Sequence, residues 1–267
     1  MRMTRLKGIL SVVFVLVLLL VTGCGNTVTT EEFLQSYQVR SGTVIEVINP
    51  NGSVLISGWD EDRVEIRANK NSFFGQEALD AVDINIDIAD TLLVETVHPY
   101  GDPRVSVSYE IMLPRDLAVG KIECSNGDIT LVNVGGNPVL NTSNGTINAT
   151  DINGIVSARS SNGDITVSGV RSLAGLNTSN GSITADLPTL HDNIDILTSN
   201  GSITLFLSPA LEVDIQASTS NGALNFNGLN IETTSMDQTS LTGTMNGGGF
   251  ALSIATSNGS IRLEQLR

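Results

Sequence analysis

Apolar and polar residues alternate along most of this chain, and from Gly120 onward the alternation itself repeats. Each copy can be aligned on the glycine of an Asn-Gly pair: Asn126-Gly127, Asn144-Gly145, Asn162-Gly163, Asn180-Gly181, Asn200-Gly201, Asn221-Gly222 and Asn258-Gly259. Two residues after the glycine come Ile129, Ile147, Ile165, Ile183, Ile203, Leu224 and Ile261. Five residues before it come Ile122, Leu140, Ala158, Leu176, Ile196, Ala217 and Ile254. Thr, Asn, Asp, Ser and Arg fill most positions between, so each strand has one dry and one wet face. Three before the glycine, on the dry parity, stand Cys124, Thr142, Ser160, Thr178, Thr198, Thr219 and Thr256. Small hydroxyl side chains there suit an inner corner, bonded to nearby backbone or to one another.

The glycines are separated by 18, 18, 18, 20, 21 and 37 residues. Eighteen residues suit two strands of four to six residues plus their corners. The pattern therefore predicts an all-β fold, a parallel β-solenoid (β-helix or β-roll) with Asn-Gly corners and 18–21-residue coils. The 37-residue step is expected to span two turns, one of them degenerate around Thr239–Gly249. An earlier copy sits at Gly52 in INPNGSVLIS, and Gly154, Gly169 and Gly135–Gly136 are expected at the opposite corner. Asn and Gly both tolerate positive φ, which is the expected reason for the pair. Asn-Gly can also close an antiparallel hairpin, but a hairpin has no reason to hold a fixed period.

Upstream, IEVINPNGSVLISG, DRVEIRA, VDINIDIADTLLVETV and RVSVSYEIMLP alternate with period two, while NSFFGQEAL fits a loop or a short helix. The solenoid is expected over 41–267, irregular over 41–118 and regular over 119–267. No stretch reads as a long, capped amphipathic helix.

The chain opens with MRMTRLKG and the 13-residue apolar run Ile9 to Val21, then TGCG. That run is short for a membrane span of about 20 residues and has the organisation of an export signal. Val21-Thr22-Gly23 before Cys24 resembles the lipobox of bacterial-type lipoproteins. That resemblance implies cleavage after Gly23, a lipid on Cys24, a tether over 24–40 and a domain held outside the cytoplasm on a membrane. An uncleaved N-terminal anchor is the other reading. Without residues 1–23, three of the 14 basic residues go and 28 acidic ones stay, giving 11 − 28 = −17. Such an acid excess disfavours nucleic acid and anionic lipid as partners. Only Cys124 would remain as a thiol, so no internal disulfide is expected. Aromatics are 4% of the chain, leaving the core to Ile, Val, Leu and Ala.

The S-N-G-[DST]-I copies and the closing GTMNGGGFALSIATSNGSIRL resemble an adhesin family of bacterial and archaeal surface proteins, a domain of unknown function (DUF4097). The resemblance is carried by residues 120–263. It implies a β-solenoid or β-roll of repeated coils outside the membrane and brings no established catalytic residues.

The leading functional reading is a non-enzymatic, adhesin-like lipoprotein whose polar surface binds an envelope glycan or protein, with no cofactor and no metal. The alternatives are a carbohydrate-active lyase or hydrolase and an envelope scaffold or signalling accessory protein. Asp128 and Asp164 follow corner glycines two coils apart, roughly 9.6 Å at the spacing of strands. Paired carboxylates of glycosidases stand about 5 to 9.5 Å apart, so this pair is the catalytic candidate, although acids on a turn row are usually just solvated. His98 and His191 are not spaced as metal ligands, and no nucleophile-elbow, HExxH or EF-hand pattern occurs. Trp59, Tyr100, Asp128 and Asp164 are the candidate ligand contacts and no residue is assigned a catalytic role; a lone Trp more often plugs one end of a core, and Phe73 and Phe74 are candidates to cap it in the same way.

Overall fold

The computed structural model describes residues 28–98 and 104–267. The stretch expected to be an export signal, Cys24 and Tyr100 lie outside the described residues. Each regular copy supplies two strands, one closing on its Asn and one opening two residues after its Gly. They are β8 (Ala118–Asn126) with β9 (Ile129–Gly135), β10 (Val139–Asn144) with β11 (Ile147–Asn153), and β12 (Ile155–Asn162) with β13 (Ile165–Ser168). β14 (Ser172–Asn180) with β15 (Ile183–Leu187), and β16 (Ile194–Asn200) with β17 (Ile203–Leu207), continue the series.

Strand alternation buries the apolar columns, and parallel pairing stacks them. Leu140 lies between Ile122 and Ala158, and Ile147 between Ile129 and Ile165. Ile122, Leu140, Ile129 and Ile147 are all fully buried. The early copy is a rung of the same kind: β2 (Val44–Asn51) sets Asn51 opposite Asn126, and β3 (Val54–Trp59) sets Val54 opposite Ile129.

The chain does not, however, build a regular parallel β-solenoid with coil following coil. β18 (Val213–Asn221) and β19 (Leu224–Asn227) do not stack on β16 and β17. That place is taken by β22 (Phe250–Asn258) and β23 (Ile261–Gln265), so Asn258 pairs with Asn200 on one side and Asn221 on the other. The 37-residue step is thus a return of the chain into a gap. Instead of a degenerate coil, the Thr239–Gly249 stretch contains β21 (Ser240–Met245), antiparallel to β18, with β20 (Glu232–Met236) antiparallel beyond it.

The other end is irregular too. β6 (Thr91–Val97) pairs in parallel with β2, and β7 (Val105–Pro114) with β3, so a later segment underlies an earlier rung. β5 (Asp83–Ile88) runs antiparallel to β6, β4 (Val64–Ser72) antiparallel to β7, and β1 (Thr29–Tyr37) antiparallel to β4. The stretch read as a tether therefore contains a strand. One short helix, α1 (Gln76–Asp80), begins within NSFFGQEAL.

The result is an open, irregular all-β arrangement. One ladder runs β1-β4-β7-β3-β9-β11-β13-β15-β17-β23-β19. The second runs β5-β6-β2-β8-β10-β12-β14-β16-β22-β18-β21-β20. β8 and β9 join them at Ala118 and Gly135. Out-of-order pairing costs little here, because every rung offers the same Ile, Thr and Asn columns to whichever rung lies beside it. The core holds a single fully packed aromatic among the described residues, Tyr109 at 2% exposure. Its hydroxyl meets Thr96 Oγ1 at 2.6 Å, and Thr96 donates to Asn49 Oδ1 at 3.0 Å. Asn49, wholly buried, donates in turn to the carbonyls of Gly52 and Val107 at 2.9 and 2.8 Å. Every member of that buried polar chain is satisfied, as a low-dielectric interior requires.

Candidate functional site: the polar corner and its groove

The Asn-Gly corners stack directly on one another. Gly127 donates its backbone N–H to Asn144 O at 2.9 Å, Gly145 to Asn162 O at 3.0 Å, and Gly163 to Asn180 O at 2.9 Å. At this approach a Cβ on Gly145 would stand 2.0 Å from Gly127 O, and one on Gly181 would stand 2.1 Å from Gly163 O. Glycine is therefore required by backbone contact. The Asn residues of the row are not among the residues with positive φ, so the expected conformational reason does not apply to them.

The Asn side chains form a continuous amide ladder on the outside. Asn144 Nδ2 donates to Asn126 Oδ1 at 2.8 Å, Asn162 to Asn144 at 2.9 Å, and Asn180 to Asn162 at 2.8 Å. Asn200, Asn258 and Asn221 extend it at 2.9, 2.8 and 3.0 Å, following the spatial order of the rungs. An inner member spends one of its two N–H donors and part of its carbonyl capacity on the ladder. The row is thus structural first, yet still carries unspent hydrogen-bonding groups at the surface.

Beneath it, the inward hydroxyls behave as expected. Thr142, Ser160 and Thr178 each donate to the corner carbonyl of the rung below, Gly127, Gly145 and Gly163, at 3.0 Å. Cys124 occupies the same column, where the corresponding carbonyl of Gly52 already accepts from Asn49. Burial, and then the charge of Asp128, push the Cys124 thiol up to about 12. It is a neutral packing group at neutral pH, far from a nucleophile.

Asp128 and Asp164 are corner ligands of the next rung. Their Oδ1 atoms accept from the backbone N–H of Thr146 and Ser182, each at 2.7 Å. Ser182 takes over the role one rung on, accepting from Ser202 N at 3.3 Å. Trp59 donates Nε1–H to Arg63 O at 2.9 Å, and the Arg63 guanidinium lies 4.7 Å from its ring centroid. One ring face is therefore already covered. Among the described residues no group of three or more His, Cys, Asp or Glu could hold a metal.

What sequence reasoning missed is a groove of about 440 Å³ beside the corner, crossing β2, β8, β10 and β12. Its floor and walls include Pro50, Glu123, Asn141 and Arg159, with Ser125, Ser143 and Ser161 along the rim. Glu123, Asn141 and Arg159 are register neighbours, one strand apart. Glu123 is held by Lys121 at 2.7 Å, whereas Arg159 is exposed and makes no ion pair among the described residues. The signal was present in the column four residues before the glycine: Glu123, Asn141, Arg159, Asn177, Leu197, Ser218 and Ala255. It points outward and varies between copies, where the structural columns stay uniform.

An all-β rack with a hydrogen-bonded corner, a polar groove and no metal cluster among its described residues is the class of protein this geometry defines. The chain belongs to the Toastrack DUF4097 family, whose profile matches residues 37–264. Among solved structures it is similar to a candidate adhesin from Bacteroides fragilis at 12% identity and TM-score 0.44, covering 87% of this chain and 97% of that one. It is also similar to a candidate cell adhesion protein from Clostridium sporogenes at 13% identity and TM-score 0.37, covering 89% and 100%. A candidate adhesin from Parabacteroides merdae matches at 12% identity and TM-score 0.37, covering 92% and 99%. The comparison with curated proteins gives no match.

Proposed function

We propose that this chain is a non-enzymatic, adhesin-like envelope protein, exported and lipid-anchored through Cys24, that binds a glycan of a cell surface in the groove beside the Asn ladder. The observation that carries the reading is Arg159 with Asn141 and the three rim serines. These are donors and acceptors spaced by the strand repeat on a rigid wall, with the cation unspent on any partner among the described residues. Hydroxyl-rich ligands are bound by such fixed polar groups, and a ligand carboxylate would pair with the guanidinium. Asp128 and Asp164 are committed to backbone N–H groups, which favours recognition over glycoside cleavage. Among the described residues no helix is long and apolar enough to cross a membrane.

The test is a binding screen of the detergent-solubilised chain on arrayed polysaccharides, including uronic-acid and neutral glycans, with hits retested on Arg159→Ala. A saturable hit is expected, weakened at least tenfold by the substitution, with an unchanged circular dichroism spectrum. A hit indifferent to Arg159→Ala would place binding elsewhere. Binding only to envelope proteins would select the scaffold role.

A further inference from the structure

Phe73 and Phe74 are the most exposed large apolar side chains of the described residues, at 68% and 61%. They directly follow β4 and are not caps over the core. Thr29, the first residue of β1, pairs with Ser72, the last of β4, and Ser72 pairs with Val105 at the start of β7. Val28, 46% exposed, thus enters the fold beside Phe73.

The pair is held out by structure. Ser72, itself buried, donates its hydroxyl to Arg104 O at 2.9 Å and accepts from Phe74 N at 3.0 Å. The Arg104 guanidinium lies 5.5 Å from the Phe74 ring centroid. Between Phe74 and α1 lies a notch of about 220 Å³, walled by Ala78, Ala81 and Val82 with Glu77 and Arg104 at its sides. Two adjacent aromatic side chains fixed in water at a strand end need a partner to justify their exposure.

Three residues separate Val28 from Cys24, so the four steps of chain span at most about 14 Å when fully extended. If Cys24 carries a lipid, its acyl chains lie in a bilayer, and the patch cannot be far from that surface. A tether this short also keeps the patch at high effective concentration beside the membrane. β1 is moreover the outermost strand of its ladder, so the anchored end is an end of the rack.

We propose that Phe73 and Phe74, with Val28, form a membrane-docking knob that seats the β1 end of the protein in the interfacial layer of the bilayer anchoring it. This rests on the lipid-anchor reading. The ladder from β1 to β19 then spans ten strand spacings, about 48 Å, and the β18–β21 end is held away from the lipid.

The test uses the full chain, purified from membranes and reconstituted into phosphatidylcholine vesicles. Phe73→Trp supplies the probe, and lipids brominated near the top of their chains supply the quencher. The unsubstituted chain, whose only tryptophan is Trp59, gives the background. Phe250→Trp, at the start of β22 and 44% exposed, gives the control. Mass spectrometry of the N-terminal peptide reads the lipid on Cys24 independently. The expected result is quenching of at least twofold at position 73 with a blue-shifted emission, and none at position 250. Quenching without a lipidated Cys24 would support the knob and overturn the anchor. A lipidated chain whose Trp at 73 is unquenched would overturn the knob and leave the anchor standing. An unquenched probe shielded in a dimer would assign the patch to a second copy, also overturning the proposal.

Discussion

Replacing Gly145 by alanine is expected to cost about 3 kcal/mol of stability or more, the upper range for overpacking, with the whole stack affected. A Cβ at Gly145 would stand 2.0 Å from Gly127 O and 2.5 Å from its carbonyl carbon. Neither atom can step aside, because Gly127 is itself hydrogen-bonded to Asn144 and packed against Gly52. The informative contrast is Gly247→Ala, where a Cβ meets nothing within 4 Å but φ is +88°. Left-handed backbone costs about 1 to 2 kcal/mol in an L-residue, so the variant lacking any clash should be the milder one. Urea denaturation of both checks the ranking. Equal losses would mean that the corner needs glycine for its dihedral angles after all.

Raising the pH from 8 to 11 is the second large effect, and Cys124 is its main source. In the unfolded chain the thiol ionises near 9.0, while in the folded protein burial, and then Asp128, hold it up to about 12. Between those values the unfolded state releases a proton that the folded state keeps. Stability therefore falls as pH rises, by about 1.4 kcal/mol per unit. Tyr109 adds the same sense of change between 10.0 and about 12, raised by burial and partly offset by its bond with Thr96. Cys124→Thr supplies the residue used elsewhere in that column and removes the ionisation. At pH 11 this variant is expected to keep about 3 kcal/mol more of its pH 8 stability than the unsubstituted protein does, two units at that slope. Parallel pH slopes for the two proteins would show that the thiol does not control alkaline unfolding.

The dry columns were legible in the sequence because period two and a fixed glycine register leave them no other place. Ile129, Ile147 and Ile165 are stacked as that register requires, and Gly52 does mark an early rung. The order of the rungs was not legible. Asn200 finds the same partner column in Asn258 as it would in Asn221, so a repeat that makes all rungs alike cannot say which one comes next. Strand direction at the ends was hidden for a similar reason. Val64–Ser72 alternates as well against an antiparallel neighbour as against a parallel one. Of the candidate site residues, Asp128 and Asp164 were legible as a turn row, but their backbone ligation depends on the rung above. The groove was missed because it depends on residues from separate copies, Glu123, Asn141 and Arg159, that become neighbours only when the rungs stack.

Under the proposed function the polar groove recognises a glycan and does not transform it. That reading is met most directly by a calorimetric titration of the full chain with the strongest polysaccharide from the array, followed by sizing of the recovered polysaccharide after long incubation. Saturable heat, lost on Arg159→Ala, with polysaccharide of unchanged length is the predicted result. Shortened chains or new unsaturated ends, produced by the intact protein and abolished by substituting Asp128 or Asp164, would contradict it.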